Sequence, residues 1–131
     1  MTHILYLDDE EAIVLLMTRM LEALGYRASG YTRAADALAA FQKDPAAFDL
    51  VLTDLSMPGI SGLEFARQVQ SIRPGMAVAI ASGHVEASDA ATARAQGVLA
   101  LVLKPHTIDD MSRTVAGLLE KSGAATQAGA S

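Results

Sequence analysis

Three acidic residues and one lysine carry most of the chemistry that this sequence offers. Asp8 and Asp9 stand together near the N-terminus, Asp54 lies mid-chain, and Lys104 comes fifty residues later. Each of these three positions follows a short apolar run that is as long as a buried strand. The carboxyl ends of parallel strands line one crevice of an open α/β sheet. The four side chains are therefore expected to meet in a single site.

Carboxylates that lie this close together need a proton or a cation, because like charges a few ångströms apart repel. Mg²⁺, with Mn²⁺ as a substitute, is the expected ion, since it takes oxygen ligands and keeps positions for water and phosphate oxygens. Asp54 can then attack phosphorus to give an acyl phosphate. Lys104 would supply a cation to the phosphoryl oxygens, and the Ser82 hydroxyl a hydrogen bond. The pattern predicts a magnesium-dependent phosphoryl-transfer site.

The elements that must position these residues follow from the hydrophobic pattern. Strand-like and helix-like segments alternate five times, which predicts an α/β domain with a parallel sheet. The second strand, near residues 27–31, is polar and is expected at the sheet edge. The Gly and Pro cluster at 57–62 is predicted as a loop, and the Ala-rich fourth helix, whose apolar face is thin, as one of the less stable elements. Helix caps are predicted from two spacings, Ser61 with Glu64 and Thr107 with Asp110. Residues 122–131 are predicted to form a flexible tail or linker.

Composition excludes several classes of function. The 131 residues fit a single domain, and the net charge of −5 argues against direct binding to nucleic acid. The chain has no cysteine, so it offers no disulfide, thiolate nucleophile or sulfur-based zinc site. Neither a membrane span nor a secretory signal is evident, and a cytoplasmic domain without membrane contact is expected. His3 and His106 have no partner pattern and are predicted at the surface.

These motifs resemble those of the response-regulator receiver domain of two-component signalling, over about residues 3–121. The resemblance implies a single doubly wound (βα)5 flavodoxin-like domain at 1–121, with a five-stranded parallel sheet of order 2-1-3-4-5. The loop at 81–84 and the aliphatic run before Lys104 look like those of receivers attached to hybrid sensor histidine kinases. The motifs that carry the resemblance are Asp8-Asp9, Asp54 with Met57-Pro58-Gly59 and Gly62, Ser82-Gly83, and Lys104-Pro105.

The resemblance also implies a function, a phosphoacceptor in a phosphorelay rather than an enzyme with a separate substrate. Asp54 would take the phosphoryl group from a histidine kinase or a phosphotransfer histidine, and the domain would promote its own phosphotransfer and dephosphorylation. Mg²⁺ would be held by Asp9, Asp54 and the main-chain carbonyl of Ser56, with Asp8 acting through water. The implied partner is therefore a sensor histidine kinase or a phosphotransfer protein, and the implied state is a monomer or weak dimer.

Further expectations concern the surroundings of the phosphoryl group. Ser56 and His84 occupy positions that tune its lifetime, and the bond between Lys104 and Pro105 is typically cis in this family. The family couples its hydroxyl residue, here Ser82, to a switch aromatic three residues before the lysine, but this chain has Leu101 there. That departure puts the conformational readout in doubt. It keeps open the alternative of a phosphorylation-independent interaction module.

Overall fold

A five-stranded parallel sheet with helices on both faces positions the candidate residues. The computed structural model describes the backbone of residues 1–130 and the side chains of residues 1–123. In chain order the elements are β1 (His3–Leu7), α1 (Glu11–Ala23), β2 (Arg27–Tyr31), α2 (Ala34–Lys43), a 3-10 turn (Pro45–Ala47), β3 (Leu50–Asp54), β4 (Ser56–Met57), β5 (Ile60–Ser61), α3 (Gly62–Ile72), β6 (Val78–Ser82), α4 (Ala87–Ala95), β7 (Ala100–Leu103) and α5 (Ile108–Ala130).

The strand order is β2-β1-β3-β6-β7. Counting only the strands of this sheet, the order is 2-1-3-4-5, and every pairing in it is parallel. The predicted fold class and the edge position of β2 are thus confirmed. The tail or linker predicted at 122–131 lies mostly outside the residues whose side chains are described, and it stays a prediction.

The core consists of two apolar layers, one on each face of the sheet. Every residue of β1 and β3 is buried, so the central strands contribute to both layers. Alternate side chains of β1 divide between them: Leu5 and Leu7 pack with α2, α3 and α4, whereas Ile4 and Tyr6 pack with α1 and α5. This burial on both faces explains why the central strands are continuous apolar runs in the sequence.

The segment after β3 is more regular than the predicted loop. Ser56 and Met57 pair antiparallel with Ser61 and Ile60, so a small hairpin stands beside the sheet. Its turn contains Gly59, whose φ of +80° favours glycine. The Gly and Pro residues of this segment therefore mark the turn of a hairpin, whereas the sequence predicted an irregular loop.

Two predicted helix caps are present. The Ser61 hydroxyl accepts a hydrogen bond from the Glu64 main-chain N–H at 3.1 Å, and the Thr107 hydroxyl accepts one from Asp110 N–H at 3.0 Å. Ala93 is the one buried residue of α4, in keeping with the thin apolar face expected for this helix. Among the described residues, every helix is too short or too polar to cross a lipid bilayer.

Two sequence expectations are wrong. No peptide bond in the described chain is cis, so Lys104–Pro105 is trans, the isomer that an X–Pro bond prefers when nothing else selects. His3 is buried rather than at the surface, with 6% of its area exposed. Its ring nitrogens have hydrogen-bond partners in Ala47 and Ser29, which makes the burial tolerable. His106 is exposed, as predicted.

Candidate functional site

Three strand ends bring the predicted acidic residues and the lysine together. Asp8 and Asp9 follow β1, Asp54 is the last residue of β3, and Lys104 follows β7. Asp8, Asp9 and Asp54 each offer a carboxylate oxygen, and these oxygens lie within 4.8 Å of one another. Lys104 Nζ lies 2.8 Å from Asp8 Oδ2 and 3.2 Å from Asp54 Oδ1. The convergence predicted from the sequence is therefore present.

Asp8 is the most enclosed of the three carboxylates, with no exposed area. Its Oδ1 accepts a hydrogen bond from Glu10 N–H at 3.0 Å. Its Oδ2 accepts two, from Lys104 Nζ at 2.8 Å and from the Tyr6 hydroxyl at 3.2 Å. Tyr6 is not among the site residues predicted from the sequence. The signal was there, because residues two apart on a strand point to the same side, and Tyr6 is two residues before Asp8.

Asp54 and Asp9 differ in their access to solvent. Asp54 is 7% exposed, and its Oδ1 accepts a hydrogen bond from Leu55 N–H at 3.0 Å as well as contacting Lys104. Asp9 is exposed. Asp9 thus forms the open side of the cluster, through which a cation or an anionic group can arrive.

The cluster carries more negative than positive charge. Burial, followed by the charge of Asp8, raises the pKa of Asp54, while the Lys104 cation and the Leu55 N–H act in the opposite direction. For Lys104, burial alone would lower the pKa. The hydrogen bond to Asp8 and the two carboxylate charges outweigh burial, so the pKa of Lys104 is raised. One ammonium does not balance the carboxylates, and a further cation would be stabilised here.

The donor set fits Mg²⁺. Asp8, Asp9 and Asp54 provide only oxygen atoms, which Mg²⁺ prefers over the nitrogen and sulfur ligands that suit zinc. Ser56, the predicted source of a main-chain ligand, is exposed and begins the hairpin two residues after Asp54. The chemistry of the cluster therefore agrees with the predicted ion, and the individual ligands stay a prediction.

Ser82 is the last residue of β6, and His84 lies on the loop that follows. The Ser82 hydroxyl accepts a hydrogen bond from His84 N–H at 3.3 Å, and its carbonyl accepts one from Lys104 N–H at 2.8 Å. The second bond joins the end of β6 to Lys104, the residue that supplies the cation. The His84 side chain is 80% exposed, with its Nε2 atom 3.6 Å from Glu86 Oε1. The tuning roles of Ser56 and His84 stay predictions.

Leu101 lies in β7 beside Ile80 of the neighbouring strand. It is half-buried and packs on the apolar layer that contains Ala93 of α4 and Val98. An aliphatic side chain therefore lies between β7 and α4, where the resemblance implies an aromatic ring.

Comparisons with known proteins find a matching family model and several similar proteins. The family model described as "Response regulator receiver domain" matches residues 4–116. Transcriptional regulatory protein GlrR of Escherichia coli (strain K12) is 31% identical over 124 residues, which cover 95% of this chain and 28% of GlrR. Sensor kinase CckA of Brucella abortus (strain 2308) is 25% identical over 118 residues, covering 90% of this chain and 12% of CckA. The crystal structure of a response regulator receiver domain protein from Clostridium thermocellum superposes with a TM-score of 0.84 at 29% identity, covering 95% of this chain and 98% of that one.

Proposed function

This chain belongs to the family of response regulator receiver domains of two-component systems, and we propose that Asp54 is its phosphoacceptor. The observation that carries the proposal is the position of Lys104 Nζ, within 2.8 Å of Asp8 and 3.2 Å of Asp54 in an acidic cluster. An ammonium held between these two carboxylates is close enough to contact a phosphoryl group on Asp54 and to stabilise the negative charge of its oxygens.

The transfer needs little from the protein beyond positioning and charge neutralisation. An Asp54 carboxylate oxygen forms a bond to phosphorus while the bond from phosphorus to the donor's imidazole nitrogen breaks. That nitrogen keeps the electron pair and takes a proton from solvent. Lys104 transfers its hydrogen bonds to the phosphoryl oxygens, and the Ser82 hydroxyl donates another. Asp54 needs no general base, since the carboxylate attacks in its ionised form.

Mg²⁺ would be held by Asp9, Asp54 and the Ser56 carbonyl, with Asp8 acting through water. When bound, the ion supplies positive charge that offsets the carboxylates and the phosphoryl oxygens. Asp9 suits this role because it is the exposed member of the cluster. Asp54 suits it because burial, followed by the charge of Asp8, raises its pKa, and a bound cation would stabilise its ionised form. Mn²⁺ would substitute, since it takes the same oxygen ligands.

Dephosphorylation would be tuned by two exposed side chains. Ser56 begins the hairpin beside Asp54, and His84 follows the Ser82 loop. Both side chains are exposed to water, and we expect them to set how quickly water reaches the acyl phosphate. A neutral His84 can also accept a proton from that water.

The conformational response is expected to be partial. Moving an equilibrium from 1:99 to 99:1 requires about 5.5 kcal/mol. New bonds from Lys104 supply roughly 1.5–3 kcal/mol and Ser82 about 1 kcal/mol. With Leu101 in place of the switch aromatic, Ser82 lacks the family's coupling to a ring. A partner that prefers the phosphorylated form would have to complete the shift.

The phosphodonor would be a sensor histidine kinase or a phosphotransfer protein, in the cytoplasm, with this domain a monomer or weak dimer. This chain spans 28% of GlrR and 12% of CckA, and these relatives are a transcriptional regulator and a sensor kinase. A place in a hybrid histidine kinase is proposed from the loop at 81–84 and the aliphatic run before Lys104. A stand-alone regulator and a longer regulator are the other two settings.

The first test is the intact mass of the protein after incubation with a small phosphodonor and Mg²⁺. The native chain should gain one phosphoryl group, and Asp54→Asn or added chelator should abolish the gain. Asp36→Asn is the matched control, because Asp36 is an exposed acid on α2, and it should be phosphorylated like the native chain. No gain in folded native protein that binds Mg²⁺ would contradict the proposal and favour a phosphorylation-independent interaction module.

A further inference from the structure

Tyr6 places a hydroxyl group beneath the acidic cluster. The residue lies in β1 with 1% of its area exposed, and its ring packs in the layer between the sheet and helices α1 and α5. The hydroxyl donates to Asp8 Oδ2 at 3.2 Å. An aliphatic side chain would fill such a core position equally well, so the hydrogen bond is what distinguishes the tyrosine.

Asp8 Oδ2 therefore has two donors of different kinds. Tyr6 is held in a packed core, whereas Lys104 is a long side chain with 19% of its area exposed and contacts to two carboxylates. One donor is fixed and the other can move.

The difference between the two donors matters when Lys104 moves away from Asp8 to contact the phosphoryl group. Asp8 has no exposed area, so a lost hydrogen bond on Oδ2 is costly for a buried carboxylate. Without Tyr6, Lys104 would be the one protein donor to that oxygen among the described contacts. Asp8 would then hold Lys104 back from the phosphoryl group.

We propose that Tyr6 is a positioning residue for phosphoryl transfer, whose hydroxyl keeps Asp8 Oδ2 hydrogen-bonded while Lys104 moves to the phosphoryl oxygens. This inference rests on the proposed function of Asp54. Tyr6 acts through Asp8 and Lys104 and touches no reacting atom. It adds a residue of the sheet interior to the residues that govern the rate.

The experiment compares Tyr6→Phe with the native chain. Tyr26→Phe is the matched control, because Tyr26 is a half-buried tyrosine before β2, at the opposite end of the sheet. The rate of phosphorylation by a small phosphodonor is measured at saturating Mg²⁺, and the Mg²⁺ dissociation constant is measured by calorimetry. Tyr6→Phe should be about tenfold slower, the equivalent of about 1.4 kcal/mol, with the dissociation constant changed by less than about twofold. Tyr26→Phe should match the native chain in both measurements.

A second comparison places Tyr6→Phe in an Asp8→Asn background. A neutral amide in place of the carboxylate leaves no buried charge to support, so the effect of Tyr6→Phe should fall below about twofold. A full tenfold effect there would overturn the inference, because the hydroxyl would be acting elsewhere.

The other outcomes are distinct. A native protein that is not phosphorylated refutes the proposed function, whereas a phosphorylated native protein with an equally fast Tyr6→Phe refutes this inference alone. A slower variant whose Mg²⁺ affinity falls in parallel would assign Tyr6 to general integrity of the site and overturn the inference. Loss of folding in Tyr6→Phe would do the same.

Discussion

The two ends of β1 each bury a polar side chain, His3 at the amino end and Asp8 at the carboxyl end. His3 is 6% exposed and Asp8 is 0% exposed. Both have hydrogen bonds to groups far away in the sequence, Ala47 and Ser29 for His3 and Lys104 for Asp8. Judged only by burial and by hydrogen bonds to distant residues, His3 and Asp8 would be equally good candidates for functional residues.

The amino end is balanced. His3 Nδ1 lies 3.0 Å from the Ala47 carbonyl, Nε2 lies 2.7 Å from the Ser29 hydroxyl, and the main-chain N–H donates to Asp49 at 2.8 Å. The ring also packs on Phe48, with centroids 4.4 Å apart. A neutral imidazole satisfies every partner here, so this end is suited to holding β1, β2 and the segment before β3 together.

The carboxyl end is out of balance, since Lys104 pairs with Asp8 and Asp54 while a third carboxylate, that of Asp9, lies in the same cluster. The surplus charge is what a metal ion and a transferred group can use, and it is maintained at a cost to stability. The comparison teaches that burial of a polar group does not by itself indicate function. Unbalanced charge at a strand end is the better indicator.

The largest change in stability is expected from truncating His3, at the amino end of β1. His3→Ala removes a packed ring and two side-chain hydrogen bonds, and it should lower the free energy of unfolding by about 3 kcal/mol. Phosphorylation of the folded variant should keep the native rate. Urea unfolding and intact mass measure the two quantities. His106→Ala, at an exposed histidine, is the control and should leave stability within about 0.5 kcal/mol of native. Slow phosphorylation of folded His3→Ala would contradict the purely structural role that the comparison assigns to the amino end of β1.

The next effect concerns the backbone at the unbalanced end. Gly62 N–H donates to the Leu55 carbonyl at 2.7 Å, and a Cβ at Gly62 would collide with the main-chain oxygen of Asp54. Gly62→Ala should therefore cost about 2 kcal/mol and slow phosphorylation by displacing Asp54. Gly117→Ala in α5 is the matched control, because a Cβ there meets nothing within 4 Å. The control should raise the stability by up to about 1 kcal/mol. Equal effects of the two variants in urea unfolding would refute the close packing inferred at Gly62.

Sequence patterns were sufficient for the sheet and for the convergence of the charged residues. Buried parallel strands are continuous apolar runs, and their ends project charged residues into one crevice, so Asp8, Asp54 and Lys104 could be placed together without coordinates. The Ser61 and Thr107 caps were readable because a cap depends on residues only three positions apart.

Three features were not predicted, each for a different physical reason. The burial of His3 depends on Ala47 and Ser29, which no local pattern links to it. Tyr6 could have been found from its spacing to Asp8, but it lies in an apolar run, where its ring is read as a core side chain and its hydroxyl is overlooked. The hairpin was missed because two-residue strands are too short for any periodicity to show.

The smallest expected effect is a pair of opposite pH dependences in the free energy of unfolding, measured without Mg²⁺. Burial, aided by the nearby Arg27, lowers the pKa of His3 below 6.5, against the Ala47 hydrogen bond and Asp49. The unfolded chain then binds more protons below pH 6.5, so the His3 contribution is present above pH 6.5 and is lost as the pH falls through the folded-state pKa.

For Asp54, the free energy of unfolding changes with pH in the opposite direction. Burial and the Asp8 charge raise its pKa above 3.8, against Lys104, so the folded chain binds more protons above pH 3.8 and stability falls as the pH rises through the folded-state pKa. Urea unfolding between about pH 4 and 8 in chelator should show Asp54→Asn losing this fall. His3→Gln should lose the rise toward pH 6.5 instead. Parallel profiles for Asp54→Asn and the native chain would mean that the carboxyl end is electrostatically balanced even without a metal ion, and the contrast between the two ends of β1 would then lose its physical basis.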